Sequence, residues 1–481
     1  MESNQSNWTV CLECQGRGKK SRGLSDKARR SFLTAINQFE KSNSQGLAPV
    51  KPVGHQYICT NCNGSGIVVA TKAPFADQEK YPHVAIIGGG IGGVALAVAC
   101  LHRGIPFTIY ERDANFDTRS QGYGLTLQQA HKAIEGLGLF TLKEGVISTR
   151  HVVHTTEGNI IGEWGVRKWI QSEEKPTNKR SNIHIARQSL RLALLEQLGG
   201  HKKVQWGHQL LDLKKNQNGG IDLQFQVKGM IKSTTSDIVV GADGIRSIVR
   251  KLIIGEQKTP LRYLGCIVIL GICPLDVIDV KNRSLLDSAT VFQTANGTER
   301  IYVMPYTTDS VMWQLSFPIT EVKAKELSVL GPKALHHEAI SRTQWHEPIP
   351  QIVRATRTSQ VSGYPVYDRE ILDPKLLRAA GNITLIGDAA HPMSPFKGQG
   401  ANQALLDALA LARHITSGCR PLSAWRSIGF RESVLQAFES KMIERSTVKV
   451  NDSAAAAQFL HSESVLLEGD EPRGRSQKKK K

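Results

Sequence analysis

The chain has 481 residues and a formal net charge of +18, from 61 lysines and arginines against 43 aspartates and glutamates. Hydrophobic residues make up 40% and charged residues 22% of the composition, which excludes collagen-like, coiled-coil and wholly disordered proteins. The length predicts about two to four domains with at least one large core.

The excess positive charge lies largely at the two ends of the chain. Residues 1–80 contain 11 basic and 6 acidic residues, and residues 471–481 contain 6 basic and 1 acidic. We interpret 471–481 as a disordered basic tail, so we do not expect binding to nucleic acid. The polar first fifteen residues predict no secretory signal. The most apolar stretch, residues 84–100, is too short and glycine-rich for a membrane span.

Residues 1–72 form one compositional unit, which carries a pair of cysteines near each end. Between the two pairs the pattern predicts an amphipathic helix over Asp26–Lys41, with Ser25 as its N-cap. Residues 73–80 are interpreted as a linker.

Residues 81–260 have the pattern of an α/β nucleotide-binding domain. A short apolar strand, His83–Ile87, is followed by a glycine-rich turn, a helix that ends near Arg103 and a second strand, Ile105–Tyr110. Further along, we predict helices over 128–136 and 188–198, a hairpin around the 216–220 turn and a buried strand over 237–242.

Residues 261–365 change to an antiparallel pattern, in which Asn296-Gly297 separates two strands as in a hairpin. Residues 366–430 return to the first pattern, with a strand at 383–386 and a helix over about 401–415. Residues 431–470 are predicted to be a C-terminal helical segment. The predicted fold is therefore α/β: a Rossmann-like domain into which a mainly antiparallel sheet domain for the substrate is inserted.

Three glycines fit the G-x-G-x-x-G spacing of dinucleotide-binding proteins, between the first strand and its helix. Gly88 permits the tight turn, Gly90 lets the backbone approach a pyrophosphate, and Gly93 lets the helix pack closely on the strand. Glu111 ends the second strand, where a carboxylate can accept hydrogen bonds from ribose hydroxyls. The alternative reading is a glycine-rich packing motif without a ligand.

Two later segments carry further motifs. Residues 237–250 read DIVVGADGIRSIVR, and residues 386–402 read IGDAAHPMSPFKGQGAN. Together with the glycine motif, they resemble the three fingerprints of the class A flavoprotein monooxygenases. The resemblance spans roughly residues 82–430, and the second segment looks closest to the tetracycline-inactivating branch.

This resemblance implies that FAD is the cofactor. Asp388 would bind the ribityl chain or neighbouring phosphate oxygens, and Pro395 would lie beside the isoalloxazine. The other implied contacts are Gly398, Gly400 and Asn402 at the pyrimidine edge, Asp243 and Gly244 near the pyrophosphate, and Arg187 on the cofactor. For Asp243 and for Arg250, the alternative is a structural turn with a surface ion pair.

The resemblance also implies the chemistry. NADH or NADPH would reduce FAD, O2 would form a flavin C4a-hydroperoxide, and one oxygen atom would pass to a hydrophobic or aromatic small molecule. No catalytic side chain is assigned, and His391 is interpreted mainly as part of the structural signature. The predicted sheet carries several large side chains, some of which could line a substrate cavity while the others belong to the core. Periodicity does not decide between these two uses for Phe292, Tyr302, Met304, Trp313 and Phe317.

Residues 11–18 and 59–66 both read C-x-x-C-x-G-x-G. Two such turns can close a tetrahedral site of four thiolates, from Cys11, Cys14, Cys59 and Cys62, around one structural zinc. The unit resembles the zinc-binding repeats of DnaJ-type chaperones, with two repeats instead of four and no J domain. A redox dithiol and unpaired thiols are the alternatives.

The sequence thus predicts an FAD-dependent, NAD(P)H-consuming monooxygenase with a small N-terminal zinc module. A flavin oxidase or reductase of the same fold, without oxygen insertion, is one alternative. A non-catalytic FAD-binding protein that acts through its zinc module is the other. The apparent separation of the module and its positive charge suggest a protein partner. Four further cysteines in apolar contexts favour a reducing compartment, the cytoplasm.

Overall fold

The fold is described from a computed structural model of the chain. The structure describes residues 7–42, 49, 52, 54–119, 123–128, 130–167, 182–281, 283–419 and 424–472. The predicted basic tail lies outside these ranges except for residues 471 and 472. No helix in the described ranges combines the length and the apolar composition needed to cross a membrane.

The amino-terminal module consists of two small antiparallel strand pairs and one helix. Its elements are β1 (Asn7–Val10), β2 (Lys19–Ser21), α1 (Asp26–Lys41), β3 (Gln56–Ile58) and β4 (Ile67–Ala70). Strand β1 pairs with β4, and β2 pairs with β3. Each pair therefore joins a strand that flanks the first C-x-x-C repeat to a strand that flanks the second. The predicted N-cap is confirmed, because the Ser25 hydroxyl accepts a hydrogen bond from the Ala28 N–H.

The next part of the chain contributes four strands to a five-stranded parallel sheet, six strands to two three-stranded antiparallel sheets and two strands to a larger sheet, together with covering helices. Its strands are β5 (Val84–Ile87), β6 (Phe107–Tyr110), β7 (Gly124–Leu127), β8 (Val146–Ser148), β9 (Arg150–His154), β10 (Ile160–Trp164), β11 (Asn182–Ala186), β12 (Val204–Gln205), β13 (Gln209–Lys215), β14 (Ile221–Val227), β15 (Met230–Ser236) and β16 (Ile238–Gly241). Its helices are α2 (Ile91–Leu101), α3 (His131–Glu135), α4 (Arg187–Gln197) and α5 (Ile248–Ile254).

The remaining elements form a large sheet and then return to the parallel one. The strands are β17 (Leu261–Pro274), β18 (Thr290–Ala295), β19 (Arg300–Thr307), β20 (Ser310–Pro318), β21 (Val361–Arg369) and β22 (Ile383–Leu385). The helices are α6 (Glu321–Leu330), α7 (Pro332–Arg342), α8 (Ile349–Ala355), α9 (Pro374–Arg378), α10 (Gly400–Gly418), α11 (Ala424–Ile428) and α12 (Gln436–Leu460).

The parallel sheet has the order β12-β6-β5-β16-β22, and its pairings are all parallel. Strands β5 and β16 are buried along their whole length, as the apolar runs in the sequence predict. Helices α2 and α10 pack against each other beside this sheet. The loops after β5, β16 and β22 therefore meet at one edge, where ligands bind in doubly wound folds.

The large sheet has seven strands in the order β10-β9-β18-β19-β20-β17-β21. The predicted hairpin is confirmed, since Ala295 pairs with Arg300 across the Asn296-Gly297 turn. The sheet extends beyond the predicted range 261–365, because β9 and β10 join it from the first part of the chain. Strand β9 pairs in parallel with β18, and the pattern of residues 150–154 alone gave no indication of so distant a partner.

A buried ion pair fixes the C-terminal helix to the parallel sheet. Arg431, just before α12, contacts the Glu439 carboxylate at 2.8 Å, and both side chains are almost fully buried. The same guanidinium donates to the backbone carbonyls of Gly381 and Ile383, at the start of β22. Each charge depends on the other for compensation.

We predict that Glu439→Leu lowers the free energy of unfolding by about 3–5 kcal/mol, because it leaves the Arg431 guanidinium buried without its carboxylate. The double variant Arg431→Met/Glu439→Leu should recover part of this loss, since no unpaired charge remains. Denaturant unfolding of the purified variants measures both effects. A double variant that is less stable than the single one would contradict the prediction.

Candidate active site

A cavity of about 890 Å³ lies between the loops of the parallel sheet and one face of the seven-stranded sheet. Its lining includes seven of the predicted cofactor residues: Gly90, Arg187, Gly244, Asp388, Pro395, Gly398 and Gly400. The other five predicted residues do not line it, and each of them contacts the loops that do.

The glycine-rich turn has the geometry that its spacing predicts. Gly88 has φ of +110°, and a Cβ there would lie 2.5 Å from the Ala242 carbonyl oxygen. A Cβ on Gly93 would lie 1.9 Å from the Gly88 carbonyl oxygen. Gly90, the N-cap of α2, has open space where a side chain would be. The backbone N–H groups of this helix start are thus accessible to an anion such as a pyrophosphate.

Glu111 supports the turn from the end of β6. Its carboxylate accepts hydrogen bonds from the N–H of Gly89 at 2.7 Å and from the N–H of Asp113 at 3.1 Å. A residue that the sequence did not single out completes this support. Arg191 donates from Nε to the Gly89 carbonyl at 2.7 Å. The only available signal was its position one helical turn after Arg187.

Asp243 has a structural role in this structure. Its carboxylate accepts hydrogen bonds from the N–H groups of Ile248 at 2.7 Å and Val249 at 3.2 Å, and thereby caps α5. Burial raises the pKa of Asp243. Gly244, with φ of +82°, lines the cavity. The structural reading of this turn therefore fits the Asp243 side chain, whereas Gly244 is placed to meet a ligand.

Arg250 is not a surface ion-pair residue, as one reading of the sequence had it. The side chain is 2% exposed, and its Nη1 donates to the carbonyls of Ala389 at 3.0 Å and Ala390 at 2.8 Å. It thereby connects the second fingerprint to the turn of the third. Nothing in the local sequence indicated the partner of its guanidinium.

Asp388 lies in the turn after β22, and its side chain is exposed to the cavity. Burial within the protein raises the pKa of this carboxyl, and the positive charge of Arg187 opposes the increase. The Arg187 guanidinium itself lies 5.4 Å from the centre of the Tyr123 ring. A carboxylate and an arginine thus face one cavity, where hydroxyl and phosphate groups could meet them.

Asp407 holds the Asp388 turn from the protein side. One of its carboxylate oxygens accepts hydrogen bonds from the Gly387 N–H at 2.9 Å and from His391 Nε2 at 2.6 Å. Arg445, on α12, contacts the other oxygen. His391 is buried beneath the turn and does not line the cavity, in agreement with its structural interpretation.

The segment before α10 forms the far wall of the site. Gly398 has φ of +58°, and Gly400 begins the helix. The Asn402 side chain is 1% exposed. It accepts from the N–H groups of Gln128 and Ala130 and donates to the carbonyls of Thr126 and Gly398. Its amide capacity is thus filled by protein groups, so a contact with the flavin would come from its backbone.

The four cysteines of the amino-terminal module lie together, and their sulfur atoms are all within 4.8 Å of one another. The last glycine of each repeat turns its backbone toward a sulfur: the N–H of Gly18 donates to Cys14 Sγ at 3.2 Å, and that of Gly66 donates to Cys62 Sγ at 3.3 Å. Such N–H···S bonds stabilise thiolates, which are the form that binds metal.

Contrary to the expected separation, the module packs on the α/β domain. Arg413 of α10 donates from Nε to the Gly16 carbonyl at 2.8 Å, and the Trp8 and Phe140 rings lie 4.8 Å apart. Arg103, which follows α2, is fully buried near Gly16. Its Nε and Nη2 have no hydrogen-bond partner in the part of the chain that the structure describes.

The family model for the FAD binding domain matches residues 81–420 of this chain, a range that includes most of the residues lining the cavity. The chain belongs to the FAD-dependent monooxygenases. The enzyme thus carries the family's matched region behind an additional cysteine module.

Two relatives illustrate the similarity in sequence. The monooxygenase is 30% identical to the aurachin C monooxygenase/isomerase of Stigmatella aurantiaca, over 69% of this chain and 79% of that protein. It is 26% identical to the 3-amino-4-hydroxybenzoate 2-monooxygenase of Streptomyces cremeus, over 83% of this chain and 92% of the relative.

Two solved structures share the fold. A variant of HpxO from Klebsiella pneumoniae, in complex with FAD, matches with a TM-score of 0.66 at 20% identity, over 80% of this chain and 92% of that one. The tetracycline destructase Tet(51) matches with a TM-score of 0.56 at 17% identity and the same coverage. The tetracycline-inactivating branch is thus among the structural neighbours of the monooxygenase.

The residues of this chain fit FAD. The open space at Gly90 suits a pyrophosphate, the exposed Asp388 carboxylate suits a polyol chain, and the start of α10 suits the polar edge of a flavin. These three features line one continuous cavity.

We predict that Asp388→Ala weakens the retention of FAD by about 10- to 100-fold, because hydrogen bonds to a charged group contribute about 1.5–3 kcal/mol. The ratio of flavin to protein absorbance after purification, followed by FAD titration, measures the loss. Asp222→Ala, at an exposed aspartate of β14, is the control. An Asp388→Ala protein that purifies with full flavin would refute this assignment.

Proposed function

We propose that the monooxygenase oxidises NADH or NADPH and inserts one atom of O2 into a hydrophobic or aromatic small molecule. The observation that carries this proposal is the continuity of the cavity. It runs from the loops that would hold FAD to the face of the seven-stranded sheet, where Val291, Met304 and Met312 line it. The aromatic substrate in the name of the Streptomyces relative supports the same class.

Bound FAD would supply the acceptance of a hydride and the activation of O2. The chain's own residues would bind the cofactor, orient the substrate and shield the reacting region. The N–H groups at the start of α2 and α10 would hold the cofactor's polar groups, with Asp388 and Arg187 beside them. The apolar side chains of the sheet face, Val291, Met304 and Met312, would keep water from the reacting region, which favours oxygen transfer over the release of peroxide.

We place the nicotinamide cofactor at the mouth of this cavity. In the part of the chain that the structure describes, there is one all-parallel sheet, and its G-x-G-x-x-G turn is the one assigned to FAD. No second sheet of this kind is therefore present there to bind the nicotinamide cofactor. Gly244 and the exposed Arg246 line the cavity at the second fingerprint, and Arg246 offers a positive charge to a phosphate. NAD(P)H would therefore bind along the surface and leave after reduction.

We propose further that Cys11, Cys14, Cys59 and Cys62 hold one structural zinc ion. Four buried thiols at this spacing suit a tetrahedral site, and metal binding would contribute on the order of 10 kcal/mol to folding so small a module. A zinc with four thiolates carries two negative charges. The buried guanidiniums of Arg103 and Arg413 lie beside the module and would compensate them. The absence of disulfides among the eight buried cysteines supports a reducing compartment such as the cytoplasm.

The monooxygenase reaction should show substrate-dependent NADPH oxidation with incorporation of 18O from 18O2 into the product. A screen of small aromatic molecules against the purified, FAD-loaded enzyme, followed by mass spectrometry of the product, makes this measurement. Label that enters only hydrogen peroxide would instead indicate an oxidase. Dithionite-reduced enzyme that reoxidises slowly with every ligand would indicate a non-catalytic protein.

The zinc proposal predicts about one zinc ion per chain by elemental analysis. Cys59→Ser should abolish this content, because three thiolates and a hydroxyl bind zinc poorly. It should retain the flavin, since no cysteine lines the cavity. Cys266→Ser, at a buried thiol of β17, should keep both the zinc and the flavin. Zinc retained by Cys59→Ser, or a native disulfide in the intact mass, would contradict the proposal.

A further inference from the structure

The cavity face of the seven-stranded sheet has one apolar and one polar part. Side chains alternate along β19, so that Arg300, Tyr302 and Met304 line the cavity while Ile301 and Val303 lie in the core. Met304 and Met312 make the apolar part. The polar part is formed by Arg300 together with Gln293 of β18 and Gln314 of β20.

Arg300 is a buried cation without a carboxylate. Its side chain is 5% exposed, and none of the ion pairs among the described residues involves it. Its Nε donates to the neutral Gln293 Oε1 at 2.7 Å, and its guanidinium lies 4.9 Å from the centre of the Tyr302 ring. Burial lowers the pKa of Arg300 to about 10, so that the side chain remains charged at neutral pH.

Such a charge is costly unless something compensates it. An uncompensated buried ion carries a penalty of several kcal/mol even after relaxation of the surroundings. Elsewhere in this chain, the buried Arg431 contacts Glu439, and the buried Arg250 donates to two backbone carbonyls of the Asp388 turn. Arg300 differs from both because its compensating group is absent from the described protein groups, while the cavity provides room for one.

A second donor lies at the same part of the cavity. Gln314 is 8% exposed and lies in the strand next to Arg300, where it pairs with Tyr302 in the sheet register. Its Nε2 has no hydrogen-bond partner in the described part of the chain. The cavity as a whole is lined by five lysines and arginines against two aspartates, which favours anionic ligands.

We propose that Arg300 and Gln314 bind the carboxylate of an aromatic acid substrate, whose ring occupies the apolar part beside Met304 and Met312. The planar guanidinium provides two parallel donors that match the two oxygens of a carboxylate. This inference rests on the proposed monooxygenase function and specifies its substrate class. The aminohydroxybenzoate named for the Streptomyces relative is an aromatic acid of this kind.

The test compares benzoate with benzamide, which has the same shape and no charge. Each is titrated into the FAD-loaded enzyme, and the change in the visible absorbance of the flavin is recorded. Wild-type enzyme should bind benzoate about tenfold or more tightly than benzamide. Arg300→Met should weaken benzoate binding by about 10- to 100-fold and leave benzamide unchanged, and Arg300→Lys should restore part of the affinity.

A measurement without ligand accompanies this titration. Arg300→Met should raise the thermal midpoint of the FAD-loaded, substrate-free enzyme, because it removes an uncompensated buried charge. Arg431→Met should lower the midpoint, because it strips Glu439 of its partner. An unchanged or lower midpoint for Arg300→Met would mean that the cation is already compensated within the protein, and would overturn the inference.

Equal binding of benzoate and benzamide, no response to benzoate, or equal losses of both in Arg300→Met would also overturn it. None of these outcomes affects the proposed function, which depends on reduction of the flavin by NAD(P)H and on the entry of 18O into a product. Selective benzoate binding by an enzyme that transfers no oxygen label would support the anion site and refute the proposed function alone.

Discussion

The loops that line the cofactor part of the cavity depend on the hydrogen bonds and the ion pair of the Asp407 carboxylate. It accepts hydrogen bonds from the Gly387 N–H and from His391, and it contacts Arg445 of α12. One buried charge thereby connects the end of β22, the helix α10 and the C-terminal helix. Because both of its oxygens are occupied, the turn above it is fixed, and the neighbouring Asp388 carboxylate remains directed into the cavity.

Local sequence patterns were sufficient to predict site residues at positions where the backbone conformation permits only one residue type. Gly88 and Gly93 could be assigned from their spacing because a Cβ at either position would collide with backbone. Interactions between distant segments could not be predicted in this way. The parallel pairing of β9 with β18, the donation from Arg250 to the Asp388 turn and the filled amide of Asn402 each join parts of the chain more than 130 residues apart. Nothing in the local sequence encodes such a partner.

The seven-stranded sheet shows how one element serves both stability and recognition. Trp313 and Phe317 point into its core, while the alternate residue Gln314 lines the cavity. Because the period of a strand is two residues, the apolar core does not restrict the chemistry of the opposite face. Buried polar side chains on that face are costly to folding, and binding sites are where proteins accept such a cost.

The contact of the cysteine module with helices α2 and α10 determines how much of this chain can fold independently. Arg103 follows α2, and Arg413 lies two-thirds of the way along α10, so both helices reach from the cavity to the module. Truncation to residues 81–420, the span that the family model matches, would uncover these two guanidiniums and the side of the Phe140 ring that contacts Trp8. The boundary of the family is therefore not a boundary of the folded unit: here the family region and its amino-terminal extension cover each other's surface along a packed contact.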